Sequence, residues 1–347
     1  NSLKAEKLLI QSSEQGNAYA QYRLGKLYLE GSELVQKDID KALNYLQKAA
    51  DQNNPFAQYA LGKTYLDGDA VKQDLLKAEN LLRLSAEQDN PYACYELGKM
   101  LRDGLCTESN PESAKQYFQS AFQGFSKLEA EMPDDKLEYR LGQMLHTGTG
   151  TEPDDAAAEV LFEKAATAGN VYAQYSLAML WLHDNTKDAG KAVALLQKAS
   201  DNGNAMAQYA LGKLYLNGEL VDKDSLKAEK LLIQSSEQGN AYAQYQLGKL
   251  YLDGNSIPKD TDQALGWLQK AAQKSSPFAQ YTLGKLYMEG NILPKDMVKA
   301  EALLLQSSEQ GNTSAQYRLG KLYLEGSEPI QKDIDKALNY LQKAADQ

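Results

Sequence analysis

Apolar residues recur along the chain with two alternating helical signatures. In the first, Ala57, Leu61 and Tyr65 are four apart and share one face, and Gly68 follows where a helix would close. In the second, an Asp opens a stretch in which Ala42, Tyr45, Leu46, Ala49 and Ala50 fall at helical spacing. Asp38, Asp74, Asp154, Asp188, Asp224, Asp260, Asp296 and Asp333 hold that opening position, with Asn110 in the remaining copy. Asp and Asn are good N-caps, and the negative charge of Asp suits a helix N-terminus. A Gly-Asn pair (Gly16-Asn17, Gly239-Asn240) or an Asn-Pro turn (Asn54-Pro55, Asn90-Pro91) ends each unit. The pattern predicts about nineteen helices and no strand, beginning on a second helix over residues 1–15 and stopping on another over 333–347.

Aligned on a Leu-Gly pair, the first helices place Gly25, Gly62, Gly98, Gly142, Ala178, Gly212, Gly248, Gly284 and Gly320 in one register, 34 to 44 residues apart. A glycine in that position, beside the apolar face, predicts close approach of another backbone. A second glycine follows six residues later in eight of these copies, and Asp184 breaks the series. The stretch AQYRLGKLYLEG at 20–31 returns unchanged at 315–326, and residues 3–52 recur at 298–347 with seven differences. A lone helical pair cannot bury its apolar face, so neighbouring units must stack into a continuous core. The expectation is one continuous solenoid over residues 1–347, with irregular middle repeats at about 107–203. Neither end reads as a polar cap, so the chain is expected to be a segment of a longer protein.

Composition narrows the function. Hydrophobic residues at 43% and charged residues at 24% describe an ordinary globular composition, unusual in holding 22 Tyr but 6 Phe, 2 Trp and 2 His. No apolar run approaches the roughly 18–20 residues of a membrane span. A net charge of −10 counts against broad binding to nucleic acid or anionic membrane. The chain contains no HExxH, GxxxxGK[ST] or GxSxG motif and no dinucleotide fingerprint, so no enzyme activity and no cofactor are expected. Ser12 and Ser13, which recur at 235–236 and 307–308, read as a helix end rather than as nucleophiles.

The pattern A-Q-Y-x-L-G-x-x-Y-x-x-G, then K-D-x-x-K-A, then K-A-A-x-x-G/N resembles the Sel-one-like repeat family, relatives of the tetratricopeptide repeats. AQYALGKTYLDG (57–68), QKDIDKALNYLQKAADQNN (36–54) and AQYALGKLYLNG (207–218) carry the likeness, which covers essentially the whole chain. The resemblance implies an all-α, right-handed α/α superhelical solenoid of about nine helix-turn-helix repeats, each about 36–44 residues. It also implies an adaptor or scaffold that binds a protein or peptide partner. The same wording is similar to repeat tails of some bacterial mobilisation or relaxase proteins. One branch of the family is cysteine-rich and secreted, with paired cysteines in each repeat. Cys94 sits where one such cysteine would, but Ala86 stands in the partner position and the other repeats lack the pair. A reduced, cytoplasmic setting fits better.

Opposite the apolar face, each first helix carries a Tyr, and four residues later most carry a Lys. In tetratricopeptide proteins these positions look into the concave groove. By that analogy Tyr59, Lys63, Tyr95, Lys99, Tyr139, Tyr175, Tyr209, Lys213, Tyr245 and Lys249 form a Tyr/Lys ladder for a partner peptide. The competing reading is structural: Tyr packs between helices, and Lys pairs with an acid four residues on, as in Lys26–Glu30, Lys63–Asp67, Lys249–Asp253 and Lys321–Glu325. Single-stranded nucleic acid stacked on the tyrosines is a further alternative, against which the paired acids count. A purely structural spacer is another.

The two middle repeats depart from the rule together. Gln143 and Met179 replace Lys, Ala178 replaces Gly, and Leu145 and Trp181 replace the second Tyr. The preceding helix lengthens through Phe118, Phe122 and Phe125. Both histidines, His146 and His183, lie here at adjacent positions of neighbouring repeats, which makes Tyr139, His146, Tyr175, Trp181 and His183 candidates for a partner-specific pocket. Drift of two units explains the same departures. The histidines lack short metal-ligand spacing with Cys106 or Asp184 and read as surface residues, with no metal expected.

Overall fold

A computed structural model describes residues 2–106, 110–183 and 188–346. Asp184 and the first residues of the irregular stretch, 107–109, lie outside the described residues. The chain forms two compact units, Asn1–Asn170 and Val171–Gln347. The first contains α1 (Ser2–Glu14), α2 (Ala18–Glu30), α3 (Ile39–Asp51), α4 (Pro55–Asp67), α5 (Leu75–Ala86), α6 (Pro91–Arg102), α7 (Pro111–Glu131), α8 (Asp135–Thr147) and α9 (Asp155–Thr167). The second contains α10 (Val171–His183), α11 (Ala189–Asp201), α12 (Ala205–Asn217), α13 (Ser225–Glu237), α14 (Ala241–Asp253), α15 (Thr261–Gln273), α16 (Pro277–Glu289), α17 (Met297–Glu309), α18 (Thr313–Glu325) and α19 (Ile334–Ala345). Among the described residues there is no strand, only an isolated bridge between Ser327 and Ile330. Within each unit consecutive helices pack in chain order, the arrangement of an α-solenoid. No helix among the described residues is long and apolar enough to cross a membrane.

Local chemistry sets the helix ends. Each odd-numbered helix after α1 starts on the Asp or Asn cap that its sequence announces; Asp74 Oδ1, for example, accepts from the Lys77 amide at 3.0 Å. The cap's own N–H donates to a carbonyl in the last turn of the preceding helix, as Asp74 does to Tyr65 and Asp224 to Tyr215, both at 3.0 Å. That bond folds the second helix of a pair back onto the first. The Asn of each Gly-Asn or Asn-Pro pair begins the next helix rather than ending the last one: Asn17, Asn54 and Asn204 each cap through a bond to the third helical amide.

The core is a column of fully buried Ala and Leu from each helix pair, such as Ala57, Leu61, Ala78 and Leu82. Burying one such Leu stabilises by about 2 kcal/mol. The Leu-Gly glycine admits the close backbone its position predicts and a side chain besides. It is a notch that takes a side chain from the next helix beside that helix's own carbonyl. A β-carbon on Gly25 would stand 2.5 Å from Leu46 Cγ and 3.1 Å from the Ala42 carbonyl oxygen. At Gly98 and Gly142 the notch takes Phe118 and Phe162 instead. The lengthening of the helix before repeat four is real: α7 runs 21 residues and buries Phe118 and Phe125.

Candidate functional site

The ladder tyrosines belong first to the packing between repeats. Tyr59 lies 5.7 Å from the Tyr92 ring, and Tyr22 lies 5.8 Å from Phe56. In the second unit Tyr209 meets Tyr242 at 6.0 Å and Tyr245 meets Phe278 at 5.7 Å. Each partner ring stands at the second position of the next first helix. Phe56 (45% exposed), Tyr242 (54%) and Phe278 (48%) remain open to solvent. This second aromatic column escaped the sequence reading, although its signal is plain in hindsight: Phe56 and Tyr59, Tyr92 and Tyr95, Tyr242 and Tyr245, Phe278 and Tyr281 sit three apart on one helix face. Burial pushes the Tyr59 hydroxyl up to about 12, helped by the nearby Glu96 charge, so Tyr59 is neutral at physiological pH.

The lysines divide by neighbourhood. Lys26 pairs with Glu30 at 3.5 Å and Lys321 with Glu325 at 3.8 Å, as their spacing predicts, and Lys285 adds Glu289 at 3.6 Å. No ion pair joins Lys249 to Asp253 among the described residues. Lys213 and Lys99 lie over their own ladder rings, 5.8 Å from the centre of Tyr209 and 5.9 Å from that of Tyr95. In the first unit Lys63 bonds Asp67 at 2.7 Å and approaches the buried Glu96 at 3.6 Å, while Lys99 reaches the same Glu96 oxygen at 3.0 Å. The Arg140 guanidinium sits 5.0 to 5.7 Å from the rings of Tyr92, Tyr95 and Phe125. Here the ladder becomes a compact cluster of cations and aromatic faces. Two shallow grooves of about 430 and 350 Å³ run along the neighbouring repeats, sharing Lys26 and Glu30 as lining.

The irregular residues fall in different units. In the first, Gln143 Nε2 donates to the Tyr139 hydroxyl at 2.7 Å, and Tyr139 lies 6.0 Å from Phe162. His146 Nδ1 meets Asp155 Oδ1 at 2.6 Å, which ties the end of α8 to the start of α9. In the second unit Tyr175 and Trp181 pack against the core built by Ala178, Ala192 and Leu196, and His183 is exposed at the end of α10. Both cysteines are free, and burial raises each thiol to about 11, so neither is an activated nucleophile. Among the described residues no group of His, Cys, Asp or Glu could hold a metal ion.

Two buried polar systems also escaped the sequence reading. The Gln of A-Q-Y is buried and works as a rung between repeats. Gln58 Oε1 accepts from Gln88 Nε2, Gln208 from Gln238 and Gln280 from Gln310, each at 2.8 Å and each 30 residues apart. Its own amide donates to the carbonyl eight residues earlier, as Gln244 does to Ser236 at 3.0 Å. The first Ser of Q-S-S is the second system: Ser235 and Ser307 hydroxyls donate to the Ala205 and Pro277 carbonyls at 2.6 Å. The serines are ties between repeats, in keeping with the helix-end reading.

Comparison with known proteins agrees with this construction. The Sel1 repeat family model matches residues 18–54, 55–90, 91–124, 136–170, 171–204, 205–240, 241–276, 277–312 and 313–347. A protective antigen of uropathogenic Escherichia coli with an SLR fold is 26% identical, with a TM-score of 0.57 over 98% of this chain and 86% of that one. A Sel1 repeat protein from Oxalobacter formigenes is also 26% identical, with a TM-score of 0.56 over the same shares. No curated protein sequence matches the chain. None of these relatives is described as a relaxase, so that likeness gains no support. With nine matched units and a repeat geometry written in its own caps, notches and rungs, the chain belongs to the Sel1-repeat family.

Proposed function

We propose that this chain is a non-enzymatic scaffold that binds a protein or peptide partner along the ladder face of its first helices, the surface that would line a concave groove. The observation that carries this reading is the half-exposed aromatic column. Phe56, Tyr242 and Phe278 stand at equivalent positions in both units, each against a ladder Tyr. Rigid aromatic rings bordered by cations supply contact area at little entropic cost and are the usual anchors of protein recognition. Where Lys63, Lys99 and Arg140 gather around Tyr59, Tyr92 and Tyr95, the face suits a segment with acidic residues.

The test is site-specific photo-crosslinking in the source organism with benzoylphenylalanine at 56 or 278, against controls at the exposed second-helix positions Leu76 and Leu226. The reading expects a discrete adduct from the ladder positions, weakened by Tyr59→Ala and Lys63→Ala, and none from the controls. Equal adducts from both sets would sink it. Salt-sensitive retention on a single-stranded DNA resin would move the ladder to nucleic acid instead.

A further inference from the structure

At two junctions both members of the Gln rung are replaced, Cys94 with Gly124 and Glu138 with Ala168, and of these the second puts a carboxylate in the Gln position. Glu138 takes the A-Q-Y glutamine position, and Ala168, 30 residues on, takes the place of the donating Gln. Glu138 is 8% exposed and forms no hydrogen bond or ion pair among the described residues. A carboxylate cannot donate to a backbone carbonyl as Gln does, and Ala168 offers nothing to its oxygens. An open hollow of about 680 Å³ lies between the start of α8 and the end of α9, and Glu138 and Ala168 both line it.

The cavity is acidic and its only cation is engaged. Asp134, Asp135, Glu163 and Lys164 share the lining with Glu138 and Ala168. Lys164 Nζ reaches out to Glu129 Oε1 at 3.4 Å. Asp134 Oδ1 is occupied by the Lys136 and Leu137 amides at 2.9 and 3.0 Å, and Asp135 Oδ2 by Asn170 Nδ2 at 3.0 Å. That leaves Glu138 as the recessed acceptor. Among the described residues these carboxylates do not gather into a metal-ligating group, so the complement is an organic cation.

We propose that this cavity receives a cationic side chain, a guanidinium or ammonium group, presented by a protein partner. A guanidinium is planar, weakly hydrated and rich in donors, which suits a recessed carboxylate with further acidic groups around it. Burial holds the Glu138 carboxyl above the usual range, with Lys164 opposing, and an entering cation would reverse that shift. The site lies at the start of α8 and the end of α9, and its lining includes no ladder residue.

Amide chemical shifts of the full chain, titrated with acetyl-Gly-Arg-Gly-amide, its lysine counterpart and its neutral citrulline isostere, test the proposal. Saturable shifts confined to residues 134–138 and 160–168 are expected with the arginine or lysine peptide, and binding at least about tenfold weaker with citrulline. Glu138→Gln, which restores the residue found in seven other repeats, should fold and lose that preference. Ala168→Gln should block entry while leaving every charge in place. Equal response to citrulline, unchanged binding by either variant, or no saturable shift in the natural protein would each overturn the proposal.

Discussion

The junction joining α4 to α5 and the one joining α8 to α9 share one architecture, and two residues separate their polar rungs. In the first, Gln88 donates to Gln58, and Gln58 donates in turn to the Ala50 carbonyl and to Asn53 Oδ1. One amide acts as donor and acceptor at once, so a polar rung is buried without a charge. In the second, Glu138 and Ala168 leave a carboxylate beside a cavity. The contrast shows that the repeat rests on Leu61, Gly62 and Ala78, which have Leu141, Gly142 and Ala158 as counterparts, while the polar rung is exchanged for a buried carboxylate. A fold assembled from near-identical interfaces can alter one of them without dismantling its neighbours.

The largest effect should come from what the junctions share. Phe162→Ala empties the Gly142 notch and should destabilise the α8–α9 pair by about 4 kcal/mol, seen as lost hydrogen-exchange protection there. Ser235→Ala removes a buried tie to the Ala205 carbonyl, which keeps only the longer bond from Asn240, and should cost about 1–1.5 kcal/mol by denaturant unfolding. Rebuilding the altered junction as a regular one, with Glu138→Gln and Ala168→Gln together, should stabilise it by about 1 kcal/mol at neutral pH. The gain should shrink on acidification. The raised Glu138 carboxyl means the folded state holds a proton that the unfolded state has released, so its penalty grows as pH rises above the normal carboxylate range and vanishes below it. A gain that is flat with pH would mean Glu138 is not the source of the difference.

A third junction sharpens the comparison further. Gln244 Oε1 is buried without a partner, because the residue 30 positions on is Lys274, whose ammonium turns instead to the Gly239 carbonyl at 2.9 Å. Lys274→Gln should complete that rung and raise stability by about 0.5–1 kcal/mol. Least of all, Lys321→Ala breaks an exposed pair with Glu325 and should change thermal stability by only about 0.3 kcal/mol. A loss above 1 kcal/mol would show that the ladder lysines hold the fold together after all.

Much of this molecule is legible in its sequence. The register of nine units, eight of them Leu-Gly, the Asp and Asn caps and the helix-closing glycines depend on φ/ψ preferences and on hydrogen bonds within a few residues. Such local rules can be read along a line. The ladder tyrosines could be listed the same way, but their share of packing and exposure could not. That share is set by a ring about 33 residues away, as Tyr92 is for Tyr59.

What only the tertiary structure decided are the partnerships across that longer distance. Gln in A-Q-Y reads as a surface amide until the next repeat folds over it, and Glu138 reads as one more solvated acid until its neighbours bury it. The physical reason is the same in both cases. A residue's propensity acts where it stands, whereas burial, desolvation and the supply of a hydrogen-bond partner belong to whatever the chain brings against it.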